Sequence, residues 1–296
     1  MSTPSPGRAL VTGAGGMLAL DLVPALRAGG WVVTALGRSD LDVTDPAQCL
    51  AAIEGHDLVV NTAAYTAVDD AETHEPVAFA VNAVGAANVA RACARAGARL
   101  VHVSTDYVFD GTATEPYAVD HPVAPRSAYG RTKAAGEWAV RALCPESWVV
   151  RTAWLYGAGG PNFVSTMLRL AGERDTVSVV DDQVGQPTWT VDLSDLIVGI
   201  VAAEVPFGIH HGTSGGQTTW YGLARAVFEL NGLDPERVLP TTTEAFPRPA
   251  PRPAWSVLSH RSLDGAAVAV IGEWRSALKR SGIQGSRVKT PPPTRR

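Results

Sequence analysis

Thr12-Gly13-Ala14-Gly15-Gly16-Met17-Leu18-Ala19 follows a short apolar run, Arg8–Thr12, and opens a segment, Met17–Arg27, whose Leu18, Leu22 and Leu26 recur at helical spacing. A glycine-rich turn between a strand and a helix is suited to a dinucleotide's pyrophosphate. Gly13 permits the tight turn, Gly16 lets the backbone approach the phosphates, the helix N-terminus attracts negative charge, and Ala19 takes the close-packing position. Gly13, Gly16, Met17 and Leu18 are therefore candidate cofactor contacts. The competing reading is an ordinary strand-to-helix turn.

Outward from this turn the same alternation repeats. Trp31–Leu36, Asp57–Thr62, Leu100–Ser104 and Trp148–Ala153 are short, β-rich apolar runs, as strands covered on both faces require. Between them, Pro76–Ala96 ends at Gly97 as a helix would, and Ser127–Leu143 precedes Pro145. Strands alternating with helices predict an α/β protein, a Rossmann-type doubly wound parallel sheet with a smaller C-terminal substrate domain. Residues 1–156 are expected to form the NAD(P)-binding part, with return segments near 189–212. Residues 157–284 are expected to be mainly substrate-binding, and 285–296 a disordered basic tail. Asn162–Arg174, Val191–Ala203 and Thr218–Leu230 read as helices, and Val177–Val180 and Ile209–Gly212 as strands. Pro247–Pro253 (PRPAPRP) reads as a stiff link.

Composition narrows the function classes. The 296 residues are 46% hydrophobic and 18% charged, with a net charge of −4, so no global positive field exists to hold nucleic acid or an anionic membrane. No apolar run approaches the roughly 18 residues of a membrane span, and no signal-peptide pattern opens the chain. Three scattered cysteines and seven histidines without ligand spacing predict no disulfide frame and no metal site, and a cytoplasmic setting.

The second strand leads into Arg38 and Ser39, where an acidic residue would hold a ribose 2′-hydroxyl. An arginine instead suits a 2′-phosphate, which predicts NADPH, with NADH as the other possibility. Asp42 is placed either to contact adenine or to cap the helix starting near Asp45.

Tyr129 and Lys133 lie four residues apart and so share one helix face. Only three of the chain's 25 basic residues are lysines, which makes a lysine at this spacing pointed. An ammonium about 4 Å from a phenol, at an effective dielectric near 20, is worth about 4 kcal/mol, or roughly 3 pKa units. That predicts a tyrosine acidified enough to protonate a carbonyl oxygen as hydride reaches its carbon. Lys133 would also reach the nicotinamide ribose. Thr105, at the C-terminal edge of the fourth strand, would orient the substrate oxygen, with Ser104 as a lesser substitute.

The glycine loop, Val60–Asp69, Ser104–Phe109 (STDYVF), Tyr129–Lys133, Arg151–Gly157, Asn162-Phe163, Asp182–Thr188 (DQVGQPT) and Arg252-Pro253 together resemble the dTDP-4-dehydrorhamnose reductase family of extended short-chain dehydrogenase/reductases. The resemblance covers roughly residues 8–280. It implies NAD(P)H-dependent reduction of the 4-keto group of a dTDP-4-keto-6-deoxyhexose by Thr105, Tyr129 and Lys133. It also implies that Ala63, Ala64, Tyr65 and Asn82 line the cofactor. Val68, Ser104, Asp106, Tyr107, Trp154, Asn162 and Arg252 would serve the substrate, Arg252 at its pyrophosphate. Val68 and Trp154 read equally as core residues, Asn162 as a helix cap and Arg252 as a linker arginine. Tyr107 stands where dehydratases of the superfamily carry a glutamate, which argues against dehydration. The acids through which some relatives bridge dimers by a metal have no match around Trp189-Thr190, so monomer and homodimer both stay open. The rival functions are a cofactor-binding regulatory subunit without turnover and a nucleotide-sugar epimerase.

Overall fold

The computed structural model describes residues 6–283, so the basic tail expected at 285–296 lies outside the described residues. Strand β1 (Arg8–Thr12), helix α1 (Met17–Ala28), β2 (Val32–Leu36), α2 (Pro46–Ile53) and β3 (Leu58–Asn61) open the chain. Then come α3 (Glu75–Phe79), α4 (Ala86–Ala96), β4 (Arg99–Thr105), α5 (Ala128–Leu143) and β5 (Ser147–Thr152). The remainder is β6 (Leu155–Tyr156), α6 (Phe163–Glu173), β7 (Val177–Val180), β8 (Val184–Gly185) and β9 (Thr188–Trp189). After these come α7 (Thr190–Ala202), β10 (Gly208–His211), β11 (Thr218–Thr219), α8 (Trp220–Leu230), β12 (Val238–Thr241) and α9 (Trp274–Arg280).

Six strands form the central sheet in the order β10-β5-β4-β3-β1-β2, and every pair is parallel. Both faces are covered, which is why all four residues of β3 and all six of β5 are buried. On one face Leu18, Leu22 and Leu26 of α1 meet Leu193, Ile197 and Ile200 of α7. On the other, Cys49, Val89, Cys93 and Val140 pack from α2, α4 and α5. The return to the sheet after residue 188 is real: α7 covers it and β10 extends it beside β5. A separate core holds α6, α8, β7 and β12 together, with Met167, Leu168, Val227 and Phe228 buried. The three cysteines are buried and unpaired.

The single helix expected over Pro76–Ala96 is broken. Residues Ala80–Gly85 form a π-helical turn between α3 and α4. The cause is a close helix crossing. A Cβ at Gly136 would lie 2.2 Å from the Asn82 carbonyl oxygen, and the Asn82 amide is drawn sideways to Tyr65 and Thr132. Gly97 ends α4 in the left-handed conformation at φ 68, as the sequence predicts. By length and composition Glu75–Ala96 reaches a membrane-spanning mean hydropathy of 1.4, which a run-by-run reading overlooks. It is the one such helix among the described residues, and its most apolar window is 61% buried inside the protein.

Candidate active site

A cleft of about 1180 Å³ runs along the C-terminal ends of β1, β3, β4 and β5, where the strand order reverses and open α/β sheets take their ligands. Its first wall is the glycine turn. Gly13 has φ 68, and a Cβ there would lie 2.8 Å from the Ala63 nitrogen; at Gly15 nothing stands within 4 Å. The turn thus packs tightly behind and leaves its front open, and Gly16 begins α1 without any side-chain cap. Uncapped N–H groups facing an open groove fit an anionic pyrophosphate.

Gly13, Gly16, Met17, Leu18, Arg38, Asp42, Ala63, Ala64 and Tyr65 all line this cleft. Arg38 is exposed, and among the described residues no carboxylate pairs with it. Asp42 lines the same end, but it is not a helix cap. Its carboxylate accepts from the Thr44 backbone and hydroxyl, which holds it below the usual range, and Asp45 caps α2.

Thr105, Asp106, Tyr107, Tyr129 and Lys133 meet at the cleft floor. Ser127 caps α5 by accepting from the Gly130 N–H, so the helix begins just where Tyr129 and Lys133 are needed. The Tyr129 ring is braced edge-on by Tyr107, with centroids 5.6 Å apart. The Thr105 hydroxyl donates to Asp106 Oδ1 at 2.9 Å. Asp106 is 3% exposed, and its Oδ2 has no hydrogen-bond partner among the described residues. Burial pushes its carboxyl up to about 6, against the opposing pull of the Ser256 and Thr105 hydroxyls.

The expected acidification of Tyr129 is corrected. Burial pushes the phenol up to about 12, with the Thr105 hydroxyl pulling the other way. Lys133 donates instead to the Val103 carbonyl at 2.7 Å, and burial brings its ammonium down to about 8, opposed by Glu137. One turn below, Glu137 and Arg151 form a buried ion pair at 2.7 Å that also takes the Ser104 hydroxyl. Ser104 therefore lines the cleft with its hydroxyl already committed downward.

Four predicted site residues do not reach the cleft wall. The Ser39 hydroxyl turns toward Asp40. Asn82 is 1% exposed and shapes the site indirectly, bonding both backbone groups of Tyr65. Asn162 caps α6 in a capping box and ties down the Gly157 and Gly160 carbonyls, the cap reading of that residue. Arg252 pairs with Asp69 at 2.8 Å and borders a small crevice behind Tyr107. Val68 and Trp154 do line the cleft. Sequence reasoning missed Trp220, which lines it from α8, a segment read from the sequence only as a helix. Among the described residues no three His, Cys, Asp or Glu side chains gather to hold a metal ion.

Residues 7–284 match the family described as RmlD substrate binding domain. The chain is similar to the dTDP-4-dehydrorhamnose reductase of Streptomyces griseus, 52% identical over 93% of this chain and 92% of that protein. It is 48% identical to the dTDP-4-keto-6-deoxy-D-glucose reductase of Streptomyces niveus, over 92% of this chain and 95% of that one. A solved dTDP-4-dehydrorhamnose reductase from Bacillus anthracis, in complex with NADP, superposes with a TM-score of 0.90. It is 37% identical and covers 93% of this chain and 98% of that chain.

Proposed function

This chain belongs to the RmlD substrate binding domain family, and from that premise we propose its function: NADPH-dependent reduction of the 4-keto group of a dTDP-4-keto-6-deoxyhexose. The single observation that carries the reading to residues is the meeting of Thr105, Tyr129 and Lys133 at the floor of a cleft whose far wall is the uncapped glycine turn.

The turn at Gly13–Gly16 holds the pyrophosphate of the cofactor, and Arg38, free of a carboxylate partner, meets its 2′-phosphate. Bound NADPH supplies the hydride. Every other requirement falls to side chains. Asp106 accepts the hydrogen bond of the Thr105 hydroxyl, and that donor turns to the 4-keto oxygen when substrate binds. Thr105 and Tyr129 converge on the 4-oxygen, and as C4 is reduced Tyr129 gives that oxygen its phenolic proton, leaving an alcohol and a tyrosinate that solvent reprotonates. A phenol at about 12 is protonated at every working pH, which is what a proton donor needs. Lys133, one turn along α5 from Tyr129, would hold the nicotinamide ribose. Residues 1–156 with 189–212 serve the cofactor, and 157–284 serve mainly the sugar nucleotide.

The test is loss of NADPH absorbance at 340 nm on adding a dTDP-4-keto-6-deoxyhexose, with the alcohol identified by NMR. Faster turnover with NADPH than with NADH is expected. No consumption with either C5 epimer of the substrate overturns the reading.

A further inference from the structure

Trp154 is one of two described non-glycine residues with positive φ, at 48, a backbone conformation that bulky residues adopt only when their surroundings impose it. Two neighbours do so. The Trp220 indole lies flat on the Trp154 indole, with centroids 3.6 Å apart and planes at 8°. Gly185 leaves room for it, since a Cβ there would lie 2.5 Å from Trp154 Cε2. Phe163 backs Trp220 at 4.6 Å, which roots the pair in the core of α6 and α8. Trp220 itself is fixed at the first turn of α8, where Thr219 caps the helix and donates to Asp181.

The stack lies beside the reacting groups. Thr105 and Thr152 are partners in the β4–β5 register, so Trp154 comes only two residues past the strand position opposite Thr105. Both indoles line the cleft. The wall therefore stands next to the oxygen that Thr105 and Tyr129 bind, at the sugar. A 6-deoxyhexose differs from its parent by a methyl group in place of a hydroxymethyl, and it presents apolar C–H surface there. Apart from its indole N–H groups such a wall is carbon, and a carbon surface favours the methyl.

We infer that Trp220 is a specificity-determining residue: stacked on Trp154, it completes an aromatic wall that packs against the methyl-bearing side of the hexose. The inference rests on the reductase reading above and names the part of the substrate that this wall takes.

The experiment measures KM for the keto sugar nucleotide, KM for NADPH and the inhibition constant of dTDP in wild type, Trp220→Leu, Trp220→Phe and Gly185→Ala. Gly185→Ala displaces Trp154 while keeping Trp220, so it stands in if Trp220→Leu does not fold. Expected is a rise of about tenfold or more in the sugar nucleotide KM for Trp220→Leu and Gly185→Ala. The NADPH KM and the dTDP inhibition constant should stay within about twofold, and Trp220→Phe should recover most of the loss. An unchanged sugar nucleotide KM in folded Trp220→Leu, or in Gly185→Ala where Trp220→Leu does not fold, or a dTDP constant that rises in step with it, overturns the inference. Wild-type protein that consumes no NADPH counts instead against the reductase reading.

Discussion

Beneath the cleft, Arg151 and Glu137 are joined at 2.7 Å with side chains only 2% and 3% exposed; in the 247–253 segment, which covers Asp69 and does not line the cleft, Arg248 reaches Asp69 at 2.6 Å while 46% exposed. The first pair lies between two continuous elements, α5 and β5, and fixes the groups under Lys133. The second ties a proline-rich strap, 247–253, to the loop after β3, with Arg252 and the Ala250 N–H on the same carboxylate. Removing one partner of the floor pair strands a charge in a dry interior. Removing one partner of the cover pair lets water replace it.

The comparison is tested first where the largest effect is expected. Tyr129→Phe removes the proton donor from the floor and nothing else, so kcat should fall about 10²–10⁴-fold with the NADPH Kd unchanged in a fluorescence titration. Equal turnover would take Tyr129 out of the mechanism. Glu137→Ala should cost about 3–5 kcal/mol in urea unfolding, because Arg151 is left buried and unpaired.

The pH dependence comes next. Above about 6 Asp106 is a pure acceptor that aligns the Thr105 hydroxyl, whereas protonated it carries an O–H that competes for the Thr105 oxygen, and Lys133 keeps its charge only below about 8. The kcat/KM profile should therefore rise through the first value and fall through the second, and Asp106→Asn should abolish the acidic limb. A flat profile across that window would separate both groups from catalysis. The smallest effect is expected at the cover. Arg248→Ala should change stability by less than about 1 kcal/mol, since the pair is half exposed. A loss as large as that of Glu137→Ala would erase the distinction between the two regions.

The α/β alternation was legible because a strand buried on both faces must be a short apolar run, and β1, β3, β4 and β5 keep that pattern, while the edge strand β2 is apolar but half exposed. The glycine turn and the Tyr129–Lys133 pair were legible for a similar reason: each is a local geometry, one turn or one helix face. Asn162 and Arg252 were harder. Both are polar residues near the site, and only the fold decides that one caps α6 and the other faces Asp69. The π-turn at Ala80–Gly85 arises from a crossing with Gly136, more than 50 residues away, and leaves no periodic trace.

The amino-acid sequence by itself determined the alternating strands and helices, the glycine turn and the shared helix face of Tyr129 and Lys133, because each depends on residues within one element or its immediate turn. Tertiary structure alone brought Thr105 of β4 to that pair, and decided the pair's pKa values and the shape of the wall beside it. A pKa depends on how deeply a group is buried and on what surrounds it, and the Trp154–Trp220 stack joins residues 66 positions apart that meet only once the two cores have packed.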